Sequence, residues 1–340
     1  MTEKQYGGAT SRHSDGRMPA AKGEEHRSKR EPREKISDNK SEKTSSPAGD
    51  NDNYIKAGKI AAQVVAFAKS FIKPGMPLLE IANKIEDKII ELGAKPAFPV
   101  NLSIDEIAAH DTPSFDDART ASGLLKVDIG VHIEGCVADT AFSLDLASSN
   151  ENKKLIGAAE SALQKALETI KEGITIKEIG REIEKSIKSE GFTPIINLSG
   201  HSIEPWNLHS GITIPNHDNS RDIIVEEGAY AIEPFATTGL GSVRDGRKSG
   251  IYKIEREGPV RDNFSREVLA FIYEEYQTLP FCSRWIHKKF GTRGLLALRR
   301  IEEAGILHQY PQLIEISGKP VSQAEHTILI EKSKKTITTI

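Results

Sequence analysis

Cysteine is scarce in this chain: Cys136 and Cys282 are its only two. Two thiols so far apart make no disulfide framework, so a reducing, cytoplasmic protein with free thiols is expected. Long apolar runs are missing as well. No stretch approaches the roughly 18 residues that span a bilayer, and the N-terminal residues hold no apolar core of a secretion signal. Surplus charge is also missing. A net charge of −3 and a pI near 6.4 exclude a global attraction to DNA or to anionic membrane. What is there is 340 residues with 37% hydrophobic content, enough for one large domain or two ordinary ones.

Residues 1–52 stand apart. They hold eleven Lys/Arg and ten Asp/Glu, and Ile36 is their one branched aliphatic residue. Such a segment cannot bury enough apolar surface to offset the entropy of ordering it, so a disordered charged tail is expected. It reads first as solvated chain and second as a weak electrostatic tether, for instance to a ribosome. His13 and His26 fall in it and are discounted as ligands.

From Tyr54 the pattern turns helical. Ile60, Val64, Val65, Ala68 and Phe71 recur at helical spacing over Ile55–Phe71, and Pro74-Gly75 end the run. A second helix is predicted over Leu78–Leu92, with Ile81, Ile85 and Ile89 on one face and Gly93 as its C-cap. This second unit recurs. Ile72–Pro96 aligns without gaps to Ile170–Pro194 with ten of 25 positions identical, among them Gly75/Gly173, Glu80/Glu178, Ile85/Ile183, Gly93/Gly191 and Pro96/Pro194. Asn-Leu-Ser follows each copy, at 101–103 and at 197–199. A duplicated unit predicts two similar halves about a pseudo-twofold axis, and a site between them would draw ligands from both.

Leu124–Ile133 and Cys136–Leu144 alternate as strands around a turn at Glu134-Gly135. The second half repeats the order, with helices to about Gly191 and strands through Leu198, Tyr230–Phe235 and Ser249–Ile254. The fold class is therefore α/β (α+β) with mainly antiparallel sheet. Residues 262–319 form a third segment, helical at Arg266–Tyr276, Phe281–Phe290 and Leu295–Ala304. It ends in an expected strand pair, Ile306–Gln309 and Leu313–Ser317, which would make it winged-helix-like. Between Phe281 and Arg300 lie Arg284, Lys288, Lys289, Arg293, Arg299 and Arg300 and no acid. That basic face reads as solvated surface before it reads as a nucleic-acid site.

Five residues carry the chemistry. Asp128 and Asp139 sit on the two strands of the hairpin, either opposite or diagonal by two, so the pleat puts both on one face. Two acids side by side among Val, Ile and Ala are costly to bury, and a cation between them removes the cost. His201 follows the Asn197-Leu198-Ser199-Gly200 turn. Glu233 and Glu325 lie in or beside apolar strands with no alternating Lys or Arg, and a shared cation is the economical partner.

The phrases around these residues resemble the methionine aminopeptidases of type 2, which have the pita-bread metallopeptidase fold. The matching phrases are Ala97-Phe98-Pro99-Val100-Asn101 through Ala108-Ala109-His110, Val127-Asp128-Ile129-Gly130-Val131-His132, Asn197-Leu198-Ser199-Gly200-His201-Ser202-Ile203, Leu208-His209-Ser210-Gly211, Tyr230-Ala231-Ile232-Glu233 and Glu325-His326-Thr327. They run from 54 to 340 in family order. The resemblance implies a catalytic domain at 53–261 and 320–340, with 262–319 as the insert that separates type 2 from type 1. It implies two divalent ions held by Asp128, Asp139, His201, Glu233 and Glu325, and substrate contacts at His110 and His209 that donate to the reacting carbonyl. It further implies Glu233 as general base and Phe98 and Leu208 as walls of the methionine pocket. Ile251 stands where some members of the family have a pocket histidine. His132 and His326 are read as structural.

Oxygen-rich ligation with one imidazole and no thiolate fits Mn, Fe(II), Co or Zn in an open site. The expected partners are nascent polypeptide N-termini with a small second residue, and a ribosome met through the tail or the basic face. A monomer is expected, with no membrane and no specific DNA. Two other readings are a prolidase or creatinase relative and a catalytically inactive relative that binds ribosomes or RNA. The Asn-Leu-Ser-Gly-His-Ser-Ile phrase and the insert speak against the first, and the complete ligand set against the second.

Overall fold

A computed structural model describes residues 48–340. Most of the tail expected at 1–52 lies outside the described residues, but 48–52 instead open the first helix. The first half runs α1 (Ala48–Phe71), α2 (Leu78–Glu91), β1 (Lys95–Pro96), β2 (Asn101–Ile104), β3 (Ile107–Ala109), β4 (Leu124–Ile133) and β5 (Cys136–Asp145). The second runs α3 (Asn150–Thr169), α4 (Ile176–Ser189), β6 (Thr193–Pro194), β7 (Ser199–Ile203), β8 (Thr213–Pro215), β9 (Gly228–Ile232) and β10 (Phe235–Thr237). After these come β11 (Val243–Ile254), α5 (Asn263–Tyr276), β12 (Phe281–Cys282), α6 (Ser283–Glu303) and β13 (Leu307–Glu315). The chain then returns as β14 (Val321–Gln323), β15 (His326–Glu331) and β16 (Lys334–Ile337). Among the described residues no helix is long and apolar enough to cross a membrane.

The duplication is visible in the backbone. α2 and α4 have equal length, and β1 and β6 follow them at the same distance. Gly75 and Gly173 have φ of +83° and +84°, and Gly93 and Gly191 +81° and +85°. Only glycine adopts such angles without strain, which is why these four positions recur. The caps differ: Thr175 and Glu178 form a capping box on α4, while Pro77 precedes α2. Each half has its own core. Ile81, Ile85 and Ile89 of α2 pack with Val127, Ile129 and Val131 of β4, and Ile179, Ile183 and Ile187 of α4 pack with Tyr230 and Ile232 of β9. Each such aliphatic side chain contributes about 1.5–3 kcal/mol when buried. Because Val127, Ile129 and Val131 face the helices, Asp128 between them faces the other side of the sheet.

The strands are antiparallel throughout. β4 pairs with β1, β2 and β5; β9 pairs with β7 and β15, while β10 pairs with β6 and β14. The expected hairpin of the third segment does not form. Leu307–Glu315 is one strand through Pro311, paired to β11 along its length and to β3 near its end. Pro311, which lacks an N–H, falls between the two expected strands, and register shifts in the ladder to β11 accommodate it. The two helices predicted at 281–304 are the two parts of α6, kinked at Gly291 with φ of 62°.

The basic face is exposed as expected at Lys288, Lys289, Arg293, Arg299 and Arg300 and needs correction at Arg284. Arg284 is buried and makes a bidentate pair with Glu86 at 2.7 and 2.8 Å. Lys289 lies over the Phe271 ring and Arg293 over Phe264, while Arg299 and Arg300 pair with Glu303 and Asp262. Trp285 Nε1 and the Val100 N–H also donate to Glu86, so one carboxylate ties the insert to α2 and to the loop before β2. Replacing Arg284 with Met should destabilise the protein by about 3–5 kcal/mol in urea unfolding, because Glu86 is left buried without its cation. The double variant with Glu86→Gln should recover part of that loss; no recovery would mean that the strain lies in packing.

Candidate metal centre

Strands of separate sheets deliver the five residues from both halves. Asp128 is opposite Ala141 on β5 and Asp139 is opposite Gly130 on β4, the diagonal register that leaves both carboxylates on one face. His201 on β7 is opposite Ala231. Glu233 sits at the break between β9 and β10, where Pro234 interrupts the ladder, and Glu325 sits at the matching break between β14 and β15. The halves are stitched together at this level. The Thr327 hydroxyl accepts from the Asp139 N–H at 2.7 Å and donates to the Asp139 carbonyl at 2.8 Å. The Glu325 N–H donates to the Ala141 carbonyl at 3.0 Å, and the Thr140 hydroxyl donates to the Glu325 carbonyl at 2.9 Å.

Ligand atoms of Asp139, His201 and Glu325 all lie within 4.8 Å of one another. His201 Nε2 is 3.7 Å from both Asp139 Oδ2 and Glu233 Oε1. Burial holds the His201 imidazole neutral by lowering its pKa to about 4, so it does not balance the charge of the acids beside it. Desolvation raises the pKa of Asp128 to about 7. Asp139, Glu233 and Glu325 are pushed well above the usual carboxylate range, first by burial and then by their like-charged neighbours. None of the four forms an ion pair with Lys or Arg among the described residues. One oxygen of Asp128 and one of Asp139 have no hydrogen-bond partner. Orphaned buried oxygens and mutually repelling acids are what divalent cations would relieve, so this donor set fits a metal centre.

A cavity of about 240 Å³ opens on these residues. All nine predicted site residues line it: the five above with Phe98, His110, Leu208 and His209. Gly130 explains part of its shape, since a Cβ there would stand 2.3 Å from the Phe98 ring. His132 and His326 stay outside it, held by the Gly135 N–H and the Thr339 hydroxyl. Sequence reasoning missed Asn101, Pro280, Tyr310 and Leu313, which also line the cavity. The last three belong to the segment taken for a separate insert. A larger groove of about 850 Å³ between α2 and the ends of α5 and α6 contains none of the five, so chemistry and not size marks the site.

The two histidines differ. His209 packs edge-on against His201, with ring centroids 4.3 Å apart. His110 has φ of 59°, rare for a side chain with a Cβ, and its Nδ1 is 3.3 Å from the Pro311 carbonyl. Burial keeps both neutral, with pKa values near 3 and 4. A carbonyl only accepts, so neutral His110 carries its proton on Nδ1 and offers Nε2 as an acceptor. That tautomer leaves His110 no ring N–H for a substrate carbonyl, unlike the donor role expected of it.

Residues 52–269 match the profile of Metallopeptidase family M24. The chain belongs to that family. It is 49% identical over 297 residues to the methionine aminopeptidase of Pyrococcus abyssi, covering 85% of this chain and 99% of that protein. The methionine aminopeptidase of Archaeoglobus fulgidus is 43% identical over 291 residues, covering 85% and 98%. The fold is shared with the methionine aminopeptidase from Thermotoga maritima, with a TM-score of 0.63 at 20% identity over 86% and 97% of the two chains. A prolidase from Pyrococcus furiosus has the same fold, with a TM-score of 0.56 at 19% identity over 86% and 64%. M24 metallopeptidases use divalent metals, and the pita-bread architecture expected from the sequence is the one observed.

The raised carboxylate pKa values set the sign of a proton count. Metal-free protein at pH 6 holds protons that a divalent cation must displace, whereas the neutral His201 has none to give. Binding of Mn or Co at pH 6 should therefore release protons, and fewer at pH 8, above the value near 7 for Asp128. Titration calorimetry in buffers of different ionisation enthalpy measures this. Equal release at both pH values would show that Asp128 does not titrate between them.

Proposed function

We propose that Asp128, Asp139, His201, Glu233 and Glu325 hold two divalent ions and that this centre removes the N-terminal methionine from polypeptides. The observation that carries the reading is a buried, uncompensated set of four carboxylates at one end of a small cavity whose walls include Phe98, Leu208, Ile251 and Leu313. An apolar wall suits an unbranched thioether side chain. A cavity of about 240 Å³ leaves little room beyond it, which favours a small second residue. Ile251 makes the wall more apolar than a histidine would.

Four carboxylates bring about −4 when ionised, which two dications balance. When bound, the metals lower the pKa of a water and polarise the scissile carbonyl. The chain's own groups do the rest. Glu233, the general base that the resemblance implies, takes a proton from the attacking water and returns it to the leaving amine. His209 donates to the carbonyl oxygen as it gains charge. His110, with its proton committed to Pro311, accepts an N–H of the peptide and aligns it.

Mn, Fe(II), Co and Zn all suit the donor set. We place the protein in the cytoplasm as a monomer acting on nascent chains, in keeping with two buried free thiols. Ribosome contact, if made by the insert, falls to its exposed cations, foremost Lys288. Metal-stripped protein given each metal in turn should release methionine from Met-Ala-Ser, and His201→Ala should lower the rate at least about a hundredfold, the scale of losing roughly 3 kcal/mol of transition-state stabilisation. Cleavage of Xaa-Pro dipeptides in preference to Met-Ala-Ser would assign a prolidase, and no release with any metal would leave a binding protein.

A further inference from the structure

The duplicated Asn-Leu-Ser phrase has been put to two uses. Asn197 has both ends of its carboxamide engaged by one residue: Nδ2 donates to the Val243 carbonyl at 2.7 Å, and Oδ1 accepts from the Val243 N–H at 2.8 Å. Asn101 engages only one end. Its Nδ2 donates to the Pro99 carbonyl at 2.9 Å, and its Oδ1 is buried with no partner. This orientation is forced, because the Pro99 carbonyl can only accept and the amide nitrogen must face it. Asn101 is 4% exposed, so bulk water does not satisfy the oxygen. A buried acceptor left without a donor is costly, and a donor arriving with a guest removes that cost.

Position says which guest. Asn101 lines the cavity of the five ligands and is directly opposite Asp128 on the neighbouring strand. Side chains of directly opposed residues stand on the same face with Cβ atoms about 5 Å apart. This end of the cavity is rich in acceptors: carboxyl oxygens, the lone pair of His110 and the Asn101 oxygen. The opposite requirement, an apolar wall, is met by Phe98, Leu208 and Leu313. A substrate with a free α-amino group brings N–H donors to the first and an apolar side chain to the second.

We propose that Asn101 reads the free α-amino group of the substrate, its Oδ1 accepting one N–H from that group. This rests on the reading of the cavity as the aminopeptidase site. Asn101 is then a specificity residue, separating free N-termini from blocked ones, while its duplicate Asn197, which lines the same cavity, has its carboxamide committed to Val243.

The test compares full-length wild type, Asn101→Leu and Asn101→Ala, all loaded with Mn and checked for metal content. Two ligands are titrated: L-methionine and 4-(methylthio)butanoate, the same skeleton without the amine. Wild type should prefer methionine. In the variants the Kd of methionine and the KM for Met-Ala-Ser should rise roughly ten- to a hundredfold, the scale of one hydrogen bond to a charged group, with the Kd of the desamino acid unchanged. Equal weakening of both ligands would make Asn101 structural, no change in either would remove it from recognition, and loss of metal would make it a support of the centre; each overturns the proposal. A wild type that releases no methionine would instead overturn the reading of the cavity, a different failure.

Discussion

Everything in this molecule turns on the cost of holding four carboxylates in a buried joint between the strands of its two halves. Asp128, Asp139, Glu233 and Glu325 have no Lys or Arg partner among the described residues, and each is pushed toward its neutral form by burial and, for all but Asp128, by the charges of the others. A fold optimised for stability alone would fill such a joint with aliphatic side chains. The surrounding hydrogen bonds do the reverse and fix the acids in place. Thr327 grips both backbone groups of Asp139, and Thr140 and Ala141 hold Glu325. Stability given up here is recovered in the two separate cores behind the sheet, where the repeated isoleucines of α2 and α4 are buried.

Duplication explains how acids from distant positions meet. Pro96 is opposite Val131, and Pro194, its equivalent, is opposite Ala236. Three residues before Val131 lies Asp128, and three before Ala236 lies Glu233, so these two acids are one position of the ancestral unit used twice. The correspondence then fails in an instructive way. Asp139 is opposite Gly130, and the residue in the equivalent place, opposite Phe235, is Gln323. The second half supplies Glu325 instead, two residues along on the same face. His201 has no counterpart in the first half. The candidate site is therefore pseudo-symmetric in Asp128 and Glu233 and asymmetric in the rest.

Much of this was legible in the sequence because it depends on local rules. Period-two alternation gave Leu124–Ile133 to the residue, and Gly75, Gly93, Gly173 and Gly191 marked the helix ends because positive φ angles demand glycine. All five metal-site candidates and the four substrate-side residues came together in one cavity. What stayed hidden depends on partners far along the chain. Nothing near Pro311 announces that Leu307–Glu315 stays a single strand, since its pairing to β11 lies more than fifty residues away. The basic run at 284–300 looked uniform, yet Arg284 is buried on Glu86 and its neighbours lie over rings. The tautomer of His110 depends on a carbonyl two hundred residues on.

The same long-range pairing bears on the segment between Glu233 and Glu325. It is not an appendage beside the site. Ile251, Pro280, Tyr310 and Leu313 come from it and form part of the cavity wall, and Tyr310 packs its ring 5.1 Å from that of His110. Its strand β13 pairs with β3, whose next residue is His110, so this segment also fixes the backbone that carries His110. The insert is in turn anchored to α2 by Arg284 and Trp285 on Glu86. Glu86 is one of the repeated residues. Its duplicate Glu184 is a surface group, bonded to Lys188 and to the Asp218 N–H. A residue that began as one of two equal helix glutamates has become the buried anchor for the wall that shapes the cavity. The position of that wall relative to the metal centre thus rests on an ion pair that touches neither.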